Sequence, residues 1–509
     1  MVDIEKQVLE GDQTVDSGSL QKPEGTVVEE FKPLAKFERF MAHINAEVRG
    51  IERVPEEEKT DPSLWTAASM WMGGNMVCAT FALGALGVAT FGLSFWDSVL
   101  TIIFFNALGA LPVSIFSTFG PPFGLRQMVL SRYWFGHQGV RLIAFLNCIA
   151  CIGWNAVNTM VSAQMLHTVN NGGLPAWGGV LVISVITVAV SCFGYRIVHL
   201  FEMWAWVPVF IIFIIVAVRM GMSGAFTAEP MGSGETEAAA VLSFGSAVYG
   251  FATGWTSYAS DYTVYMRKDM SRRYVFLVVW LGLLFPCNFA MILGAACMTG
   301  AQTTPHFAHN YEKDSVGGLF FAVLVDKSLH GFGQFCVVVL ALSTVANNIP
   351  NLYSLGLSAQ TVWTGFRKIP RVVWTIFGAG VGIAIAIPAY LHFANFMHNF
   401  MNIIAYWLAI YASIGFNEHI FYRRGSSGYD PSRYEDKSYL PVGYAALFGF
   451  ACGVAGVAVG MAQIYWVGPL AAMIGDPAIG GDIGLELGFA FSTIGFHATR
   501  WLELKYIGK

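Results

Sequence analysis

The stretch from Leu64 to Leu93 reads LWTAASMWMGGNMVCATFALGALGVATFGL, and it decides the fold class. It is longer than the roughly 20 apolar residues that a helix needs to cross a bilayer. Gly73, Gly74 and Asn75 interrupt its otherwise apolar pattern. Because free backbone groups at membrane depth must be satisfied by protein or must line a cavity, this stretch predicts a broken membrane helix.

The rest of the chain has a matching composition. Of the 509 residues, 55% are hydrophobic and 12% are charged, which is more apolar surface than one soluble core can hide. We therefore predict an all-α membrane protein with twelve transmembrane helices. The predicted spans lie at about 64–93, 97–117, 140–168, 175–194, 200–218, 239–263, 274–299, 330–361, 371–391, 403–422, 440–465 and 483–500.

Basic residues test that count, because loops on the cytoplasmic side of a membrane are enriched in Lys and Arg. Of the 29 Lys and Arg residues, 15 lie in loops after even-numbered spans and 3 in or beside loops after odd-numbered spans. We therefore expect both termini on the cytoplasmic side. The predicted segments are a cytoplasmic tail at 1–62, spans 1–5 at 63–219, spans 6–10 at 238–424, spans 11–12 at 438–501 and a cytoplasmic C-terminus at 502–509.

A second interruption lies in the sixth span, from Gly250 to Trp255, and includes Gly254. Its distance from the first interruption suits a repeat of spans 1–5 and 6–10, followed by two extra helices. Secondary transporters often break two helices at matching positions, and the freed backbone groups bind substrate and ion. Glycines can also simply allow close helix packing, which is the alternative for either site alone. Two interruptions in register favour a functional role.

Neutral polar side chains mark two further spans. In the third span, Trp154 and Asn158 are four residues apart and share one helix face. An indole can stack on a flat heterocycle while an amide bonds along its polar edge, although an interhelical hydrogen bond would also explain Asn158. In the eighth span, Asn347 and Asn351 share a face beside the helix-breaking Pro350. These uncharged groups favour a neutral polar ligand over a carboxylate or phosphate.

Several other classes of protein are disfavoured. ATP-driven pumping needs a phosphate-binding loop, and the single Gly-Lys pair, Gly508-Lys509, follows no Gly-rich turn. A membrane enzyme needs convergent His, Asp, Glu or Cys, and the 11 His residues are scattered. All 8 cysteines fall in apolar stretches, which argues against disulfides and metal centres. We therefore expect that the protein is not an enzyme and that it has no cofactor, no bound metal and no nucleic-acid partner.

Several motifs together resemble the fungal purine-cytosine permease branch of the nucleobase cation symporter family. They are the Gly73-Gly74-Asn75 break, the stretches 153–158 and 253–262, and the cluster 347–351. The resemblance runs from about Phe37 to the C-terminus. It implies a five-plus-five inverted repeat in the plasma membrane. It also implies import of cytosine and of purines such as adenine, guanine and hypoxanthine, coupled to protons, by alternating access.

The resemblance also implies roles for individual residues. Trp154 would stack on the base, Asn158 would bond to it, and Trp255 would supply a second aromatic contact. The further substrate-binding residues that it implies are Thr256, Ser257, Asn347, Asn351 and Thr80. Spans 1, 2, 6 and 7 would rock against spans 3, 4, 8 and 9, with spans 5 and 10 as gates.

The coupling ion has two alternatives. Sodium-dependent relatives bind the ion with first-span carbonyls and eighth-span hydroxyls, which Ser343 and Thr344 could supply. A proton instead needs a titratable group, and Glu202 and Asp261 are the candidates named here. Neither lies at the broken helices, but the resemblance favours a proton.

Other functions stay open as alternatives. A related transporter could carry pyridoxine or another small neutral heterocycle, because few contacts separate such substrates. From another class, a channel or a transport-like receptor could share the fold, although a receptor should carry a long signalling tail. The expected partners are a small-molecule base and membrane lipid. The sequence leaves the preferred base and the oligomeric state open.

Overall fold

The computed structural model describes residues 50–59, 63–192 and 203–509. Most of the predicted N-terminal tail therefore lies outside the described residues. The described α-helices are α1 Leu64–Asn75, α2 Cys78–Ala89, α3 Phe95–Ser117, α4 Gly120–Phe123, α5 Gln127–Leu130, α6 Arg132–Val169, α7 Ala176–Cys192, α8 Trp206–Ser223, α9 Glu235–Thr253, α10 Arg272–Thr303, α11 Pro305–Leu324, α12 His330–Val362, α13 Arg371–Ala389, α14 Phe393–Asn417, α15 Tyr444–Gly460 and α16 Gly484–Ile507.

Short elements connect these helices. The two described strands, β1 Ala462–Gln463 and β2 Trp466–Val467, form an antiparallel hairpin after α15. The π-helical turns are Val325–Leu329 and Glu418–Tyr422. The 3-10 helices are Glu56–Glu58, Thr256–Tyr262, Thr364–Lys368, Tyr390–His392, Ser426–Gly428, Pro431–Arg433 and Ala471–Met473.

Each of the twelve predicted spans coincides with a described helix or with a broken helix. Within the described residues, 6 helical stretches are long and apolar enough to cross a membrane, or 7 with the bent pair α1 and α2 counted as one span. Three of the six stretches, 95–123, 305–362 and 371–422, each contain two of the helices above. Two further helices, Ala176–Ser191 and Tyr444–Gly460, are also apolar but shorter.

The first span is broken just after the predicted glycines. Gly73, Gly74 and Asn75 form the last helical turn of α1, and the helical conformation is lost at Met76 and Val77. There the chain bends by 54° before α2 begins. The glycines permit the bend but do not form it, because the residues that lose the helical conformation, Met76 and Val77, follow them in the chain.

The other two predicted breaks differ from each other. In the sixth span, α9 ends at Thr253, Gly254 follows it, and a 3-10 helix then runs from Thr256 to Tyr262. In the eighth span, Pro350 lies inside the continuous helix α12. The helix break predicted at Pro350 is therefore wrong, because α12 continues through this residue. A proline removes one backbone donor but does not have to end a long membrane helix that neighbouring helices support.

Two further boundaries differ from the sequence analysis. Helix α11 lies between the seventh and eighth predicted spans, where no helix is predicted; its first half is polar, and its backbone is kinked at Asp314 and Ser315. Helix α14 begins at Phe393, ten residues or so before the predicted start of the tenth span. Buried polar residues, among them His398 and Asn402, hide this first part of the helix from a search for apolar runs.

Glycines allow the closest helix packing in the described core. An added Cβ at Gly84 of α2 would overlap the carbonyl oxygen of Met291 on α10. An added Cβ at Gly294 of α10 would overlap the carbonyl oxygen of Phe81 on α2. Such reciprocal contacts are typical of small residues at membrane helix interfaces. Close packing therefore explains these glycines without a ligand.

Candidate binding site at the helix breaks

The two helix breaks contact each other in the interior of the protein. The indole N–H of Trp255 donates a hydrogen bond to Asn75 Oδ1 at 3.0 Å. The ring of Trp255 also meets the ring of Trp71 edge-on, with centroids 5.4 Å apart. A Cβ added to Gly74 would come within 3.2 Å of the Trp255 ring. The glycine in the last turn of α1 therefore lets the sixth-span indole lie against the first break.

A cluster of buried amides joins the third and eighth spans to the first break. Asn158 on α6 donates hydrogen bonds to Asn347 Oδ1 at 2.7 Å and to Asn348 Oδ1 at 2.9 Å. Asn347 in turn donates to the backbone carbonyl of Gly74. These three asparagines are at most 1% exposed. We call Asn158, Asn347, Asn348 and Asn351 the amide cluster.

Asn351 connects the amide cluster to the segment after the sixth-span break. It donates to Asn347 Oδ1 at 3.0 Å and accepts a hydrogen bond from the Tyr258 hydroxyl at 2.7 Å. Both ends of its amide are therefore occupied by protein groups. In this arrangement Asn351 orients Asn347 and Tyr258.

Besides the indole nitrogen of Trp71, two polar atoms of the third span at this site have no protein partner within the described part of the chain. They are Asn158 Oδ1 and the indole nitrogen of Trp154, and both are buried. Trp154 and Asn158 lie one turn apart on α6 and project from the same face. Leaving a buried donor or acceptor unpaired costs about 1–3 kcal/mol. This face of the third span therefore offers one donor and one acceptor to a small polar molecule.

Aromatic rings enclose Trp154. Phe251 of α9 and Phe400 of α14 both meet its ring edge-on, with centroids 5.2 Å and 5.6 Å away. A Cβ added to Gly254 would lie 2.7 Å from the Trp154 ring. Gly254 is therefore needed for the third-span indole to approach the sixth-span break, where Trp255 follows.

The remaining residues that were expected to bind substrate make internal hydrogen bonds. Thr80 donates to the carbonyl of Asn75 at 2.6 Å, and Ser257 donates to Asn147 Oδ1 at 2.6 Å. The Thr256 hydroxyl lies 2.9 Å from that of Thr253. These bonds hold the backbone of the two breaks, which is a supporting role in this conformation.

The eighth-span hydroxyls lie against the first break. Ser343 accepts a hydrogen bond from the backbone N–H of Cys78 at 3.2 Å and donates to the Leu340 carbonyl. The Thr344 hydroxyl lies 2.5 Å from that of Ser162. Both hydroxyls are therefore engaged by protein groups, although they sit where the first helix unwinds.

Of the two carboxylates that are candidates for binding the coupled proton, only Asp261 lies within the described residues. Asp261 is buried, and it accepts a hydrogen bond from the backbone N–H of Gln127 at 2.7 Å, while Arg126 donates to its backbone carbonyl at 2.8 Å. These contacts anchor the 3-10 helix after the sixth-span break. Glu202 lies outside the described residues. Among the residues that are described, no group of three or more His, Cys, Asp or Glu is placed to hold a metal ion.

Comparison with known proteins identifies the family. Residues 53–475 match the family described as permeases for cytosine/purines, uracil, thiamine and allantoin. The chain belongs to this family. The Saccharomyces cerevisiae purine-cytosine permease FCY2 is 50% identical to this permease over 479 residues, which cover 94% of this chain and 90% of FCY2. The vitamin B6 transporter TPN1 of the same yeast is 32% identical, covering 92% of this chain and 89% of TPN1.

The fold of this permease is also known from solved structures. The closed conformation of Mhp1, a nucleobase-cation-symport-1 family transporter with bromovinylhydantoin bound, superposes with a TM-score of 0.68 at 16% identity. The match covers 91% of this chain and 95% of Mhp1. The expected fold is confirmed: an all-α membrane protein with twelve transmembrane spans, a five-plus-five inverted repeat, broken first and sixth spans and two extra spans. The expected family is also confirmed, and the chain is a multi-pass membrane transporter rather than an enzyme.

Sequence reasoning missed two residues of the tenth-span helix. Phe400 of α14 packs on Trp154, and a Cβ added to Gly153 would overlap its ring. Asn402 is fully buried, and neither of its amide atoms has a partner among the residues described here. Neighbouring Met401 contacts Gly250 of α9. The available signal was an asparagine in the apolar stretch just before the predicted start of the tenth span at residue 403.

Proposed function

We propose that this permease is a secondary active symporter that imports nucleobases together with protons by alternating access. Cytosine and purines such as adenine, guanine and hypoxanthine are the proposed substrates. The support from sequence is the 50% identity to FCY2, a purine-cytosine permease, compared with 32% to TPN1. The structural observation that carries the proposal is the pair of unpartnered buried atoms on Trp154 and Asn158, considered within the described residues.

The chemistry of this pair fits a neutral base. A nucleobase is flat and carries hydrogen-bond donors and acceptors along one edge, so it can stack on an indole while its edge pairs with an amide. The Nδ2 group of Asn158 is already bonded to Asn347 and Asn348. Its Oδ1 is therefore left to accept from a ring N–H or an exocyclic amine of the base. The Trp154 N–H can donate to a ring nitrogen or a carbonyl oxygen.

The same contacts suggest how binding favours closure. Trp154 and Asn158 lie on the third span, whereas Trp255 and Gly74 belong to the broken spans. A base that touches both groups is bound most tightly when they are close, so it favours the closed state by its differential affinity. We propose that spans 1, 2, 6 and 7 move against spans 3, 4, 8 and 9 in this step. Phe400 would close the site from the tenth span.

A proton is the coupling ion that we propose, in place of sodium. The Ser343 and Thr344 hydroxyls, which sodium would need, are each bonded within the protein in this conformation. We propose the plasma membrane as its location, as the family resemblance implies. We propose both termini in the cytoplasm, because Lys and Arg are concentrated in the loops after even-numbered spans.

Radiolabelled cytosine uptake in a permease-deficient cell tests the proposal. We expect saturable accumulation that purines compete for, that a protonophore abolishes and that sodium removal leaves unchanged. Unlabelled pyridoxine should compete poorly. Strong competition by pyridoxine without cytosine accumulation would instead support a vitamin B6 transporter. Accumulation that depends on sodium would overturn the choice of ion.

A further inference from the structure

A cavity of about 370 Å³ lies where the end of α14, the end of α16 and the loop between α14 and α15 meet. Its volume is within the roughly 300–1,000 Å³ that small-molecule sites occupy. Among the described residues, the charged side chains of its wall are Arg423, Arg433, Arg500, Lys509 and Glu418. We call this space the basic cavity. It is separate from the helix breaks, because Glu418 follows the last residue of α14, whereas Phe400 lies near the first.

The carboxylate of Glu418 is neutralised by two arginines of the same wall. Arg500 donates to both of its oxygens at 2.9 Å, and Arg423 donates to its Oε1 at 3.3 Å. Glu418 is 1% exposed, so little of its charge is open to the cavity. Arg500 also pairs with Glu503 at 3.3 Å, and Arg423 donates to two backbone carbonyls. Both guanidinium groups are therefore held in place before any ligand binds.

The other two cations of the wall keep donors for a ligand. Arg433 donates from Nε and Nη2 to Asp436 at 3.0 Å and 2.7 Å, and its Nη1 makes no hydrogen bond within the described residues. Lys509 donates one hydrogen bond, to the backbone carbonyl of Lys437 at 2.7 Å, whereas an ammonium group has three donors. Even with Asp436 and Glu503 counted, basic side chains outnumber carboxyl side chains here. The basic cavity therefore suits an anion.

The kinds of cation in the wall favour a phosphate group. A guanidinium is a planar fork that matches phosphate geometry, and a lysine ammonium adds a point charge. Four cations around one cavity favour an anion with more than one negative charge over a single carboxylate. A phosphate monoester carries a charge of about −1.5 to −2 at pH 7 and three acceptor oxygens.

The surroundings of the basic cavity indicate the source of such a phosphate. Leu504 belongs to its wall and is exposed, and Trp501 and Tyr506, close by on α16, are 51% and 74% exposed. Trp and Tyr side chains concentrate at the level of the lipid headgroups. The end of α16 therefore places the cavity at headgroup level. In the proposed orientation this is the cytoplasmic leaflet, where basic pockets bind phosphorylated headgroups.

We propose that the basic cavity binds a phosphate monoester, carried by a phosphorylated lipid headgroup of the cytoplasmic leaflet. Arg433 and Lys509 donate to the phosphate oxygens, while Arg423 and Arg500 supply positive charge that is already fixed. A bound headgroup bridges the ends of α14 and α16 and stabilises the contact between these two helices. This site is independent of the transported base and of the coupling ion.

The test measures the melting temperature of the full-length permease in a nonionic detergent at constant ionic strength. The probes are dioctanoyl phosphatidylinositol 4-phosphate, its soluble headgroup inositol 1,4-bisphosphate, and dioctanoyl phosphatidylinositol, which lacks the monoester. We expect the phosphorylated lipid to raise the melting temperature and phosphatidylinositol to leave it unchanged, because a ligand that binds only the folded state stabilises it. A smaller rise with the soluble headgroup supports the lipid source. An equal rise with the soluble headgroup supports the phosphate chemistry and overturns the lipid source. No rise with either phosphorylated probe, or an equal rise with phosphatidylinositol, would overturn the whole proposal.

Variants of one ion pair have opposite expected effects on this binding. Arg433→Gln removes a cation that donates to the phosphate and should weaken binding of the phosphorylated lipid about tenfold. Asp436→Asn releases the same guanidinium from its carboxylate and should strengthen binding. Arg267→Gln is the matched control, because Arg267 is an exposed arginine that donates to Asp269 from two nitrogens, at 3.0 Å and 2.5 Å. It should bind the lipid as the wild type does.

The affinities of these variants decide whether the basic cavity is the site. Unchanged affinity in Arg433→Gln, or an equal loss in Arg267→Gln, would overturn the assignment. Lys509→Gln covers the case in which Arg433→Gln does not reach a folded state, and it should also weaken binding. Wild-type affinity in a folded Lys509→Gln would exclude that ammonium from the site. Weaker binding in Asp436→Asn would contradict the role given to Arg433.

Discussion

Replacing Asn158 with Ala tests the structural interpretation of the binding site most directly. The side chain donates to Asn347 and Asn348 and leaves Oδ1 without a partner among the described residues. The variant removes the acceptor available to the base, so a donor of the bound base is left unpaired. That loss is worth about 1–3 kcal/mol, or roughly 5–150-fold in Kd.

Asn147→Ala is the matched control for this variant. Asn147 is also a buried asparagine of α6, but it donates to Ser358 at 2.7 Å and accepts from Ser257 at 2.6 Å. Its loss should lower stability and leave cytosine affinity nearly unchanged. Affinity would be measured as the inhibition constant of unlabelled cytosine, at matched surface expression. Equal affinity in wild type and a well-expressed Asn158→Ala would show that Asn158 is a purely structural amide.

Three further variants test other parts of the structure. Trp154→Phe keeps an aromatic ring but removes the indole donor, and it should weaken cytosine binding by about 0.5–1.5 kcal/mol in the same competition assay. Gly294→Val would overlap the Phe81 carbonyl and should lower the melting temperature of the purified protein, at a cost of about 1–3 kcal/mol. Arg500→Met leaves Glu418, 1% exposed, without its two hydrogen bonds of 2.9 Å from Arg500. Glu418 keeps its hydrogen bond from Arg423, so the cost should stay below the ~3–5 kcal/mol of a buried pair that loses one partner, and thermal unfolding should still shift further than for Arg433→Met, an exposed arginine.

The buried pair of Glu418 and Arg500 also explains why a carboxylate lies at the end of the tenth span. Glu418 sits beside His419 at the end of the tenth span, and it accepts hydrogen bonds from Arg500 of α16 and Arg423. This contact ties the last helix to the end of α14. It accounts for the carboxylate by helix anchoring, without a role in ion coupling.

The sequence alone predicted the features that depend on local chemistry. The cost of placing polar groups in lipid makes apolar runs visible, so the twelve spans could be located with modest errors at their ends. The glycines at 73–74 and 254 marked the broken helices for the same reason, because interruptions in an apolar run need an explanation. Trp154 and Asn158 were visible as a polar pair on one helix face. The break predicted at Pro350 was wrong because a proline does not have to break a membrane helix that neighbouring helices support.

Only the tertiary structure decided which polar atoms are already paired. Asn351 and Ser257 look like ligands in the sequence, yet their groups bond to Tyr258 and Asn147, whereas Asn158 keeps one atom without a protein partner within the described residues. The first part of α14, with Phe400 and Asn402, became visible in the same way. Two of these hydrogen bonds join residues 93 and 273 positions apart in the chain, Tyr258 with Asn351 and Asn347 with Gly74. Local sequence determines where a helix can cross the membrane, but only the packed bundle determines which polar groups remain for a ligand.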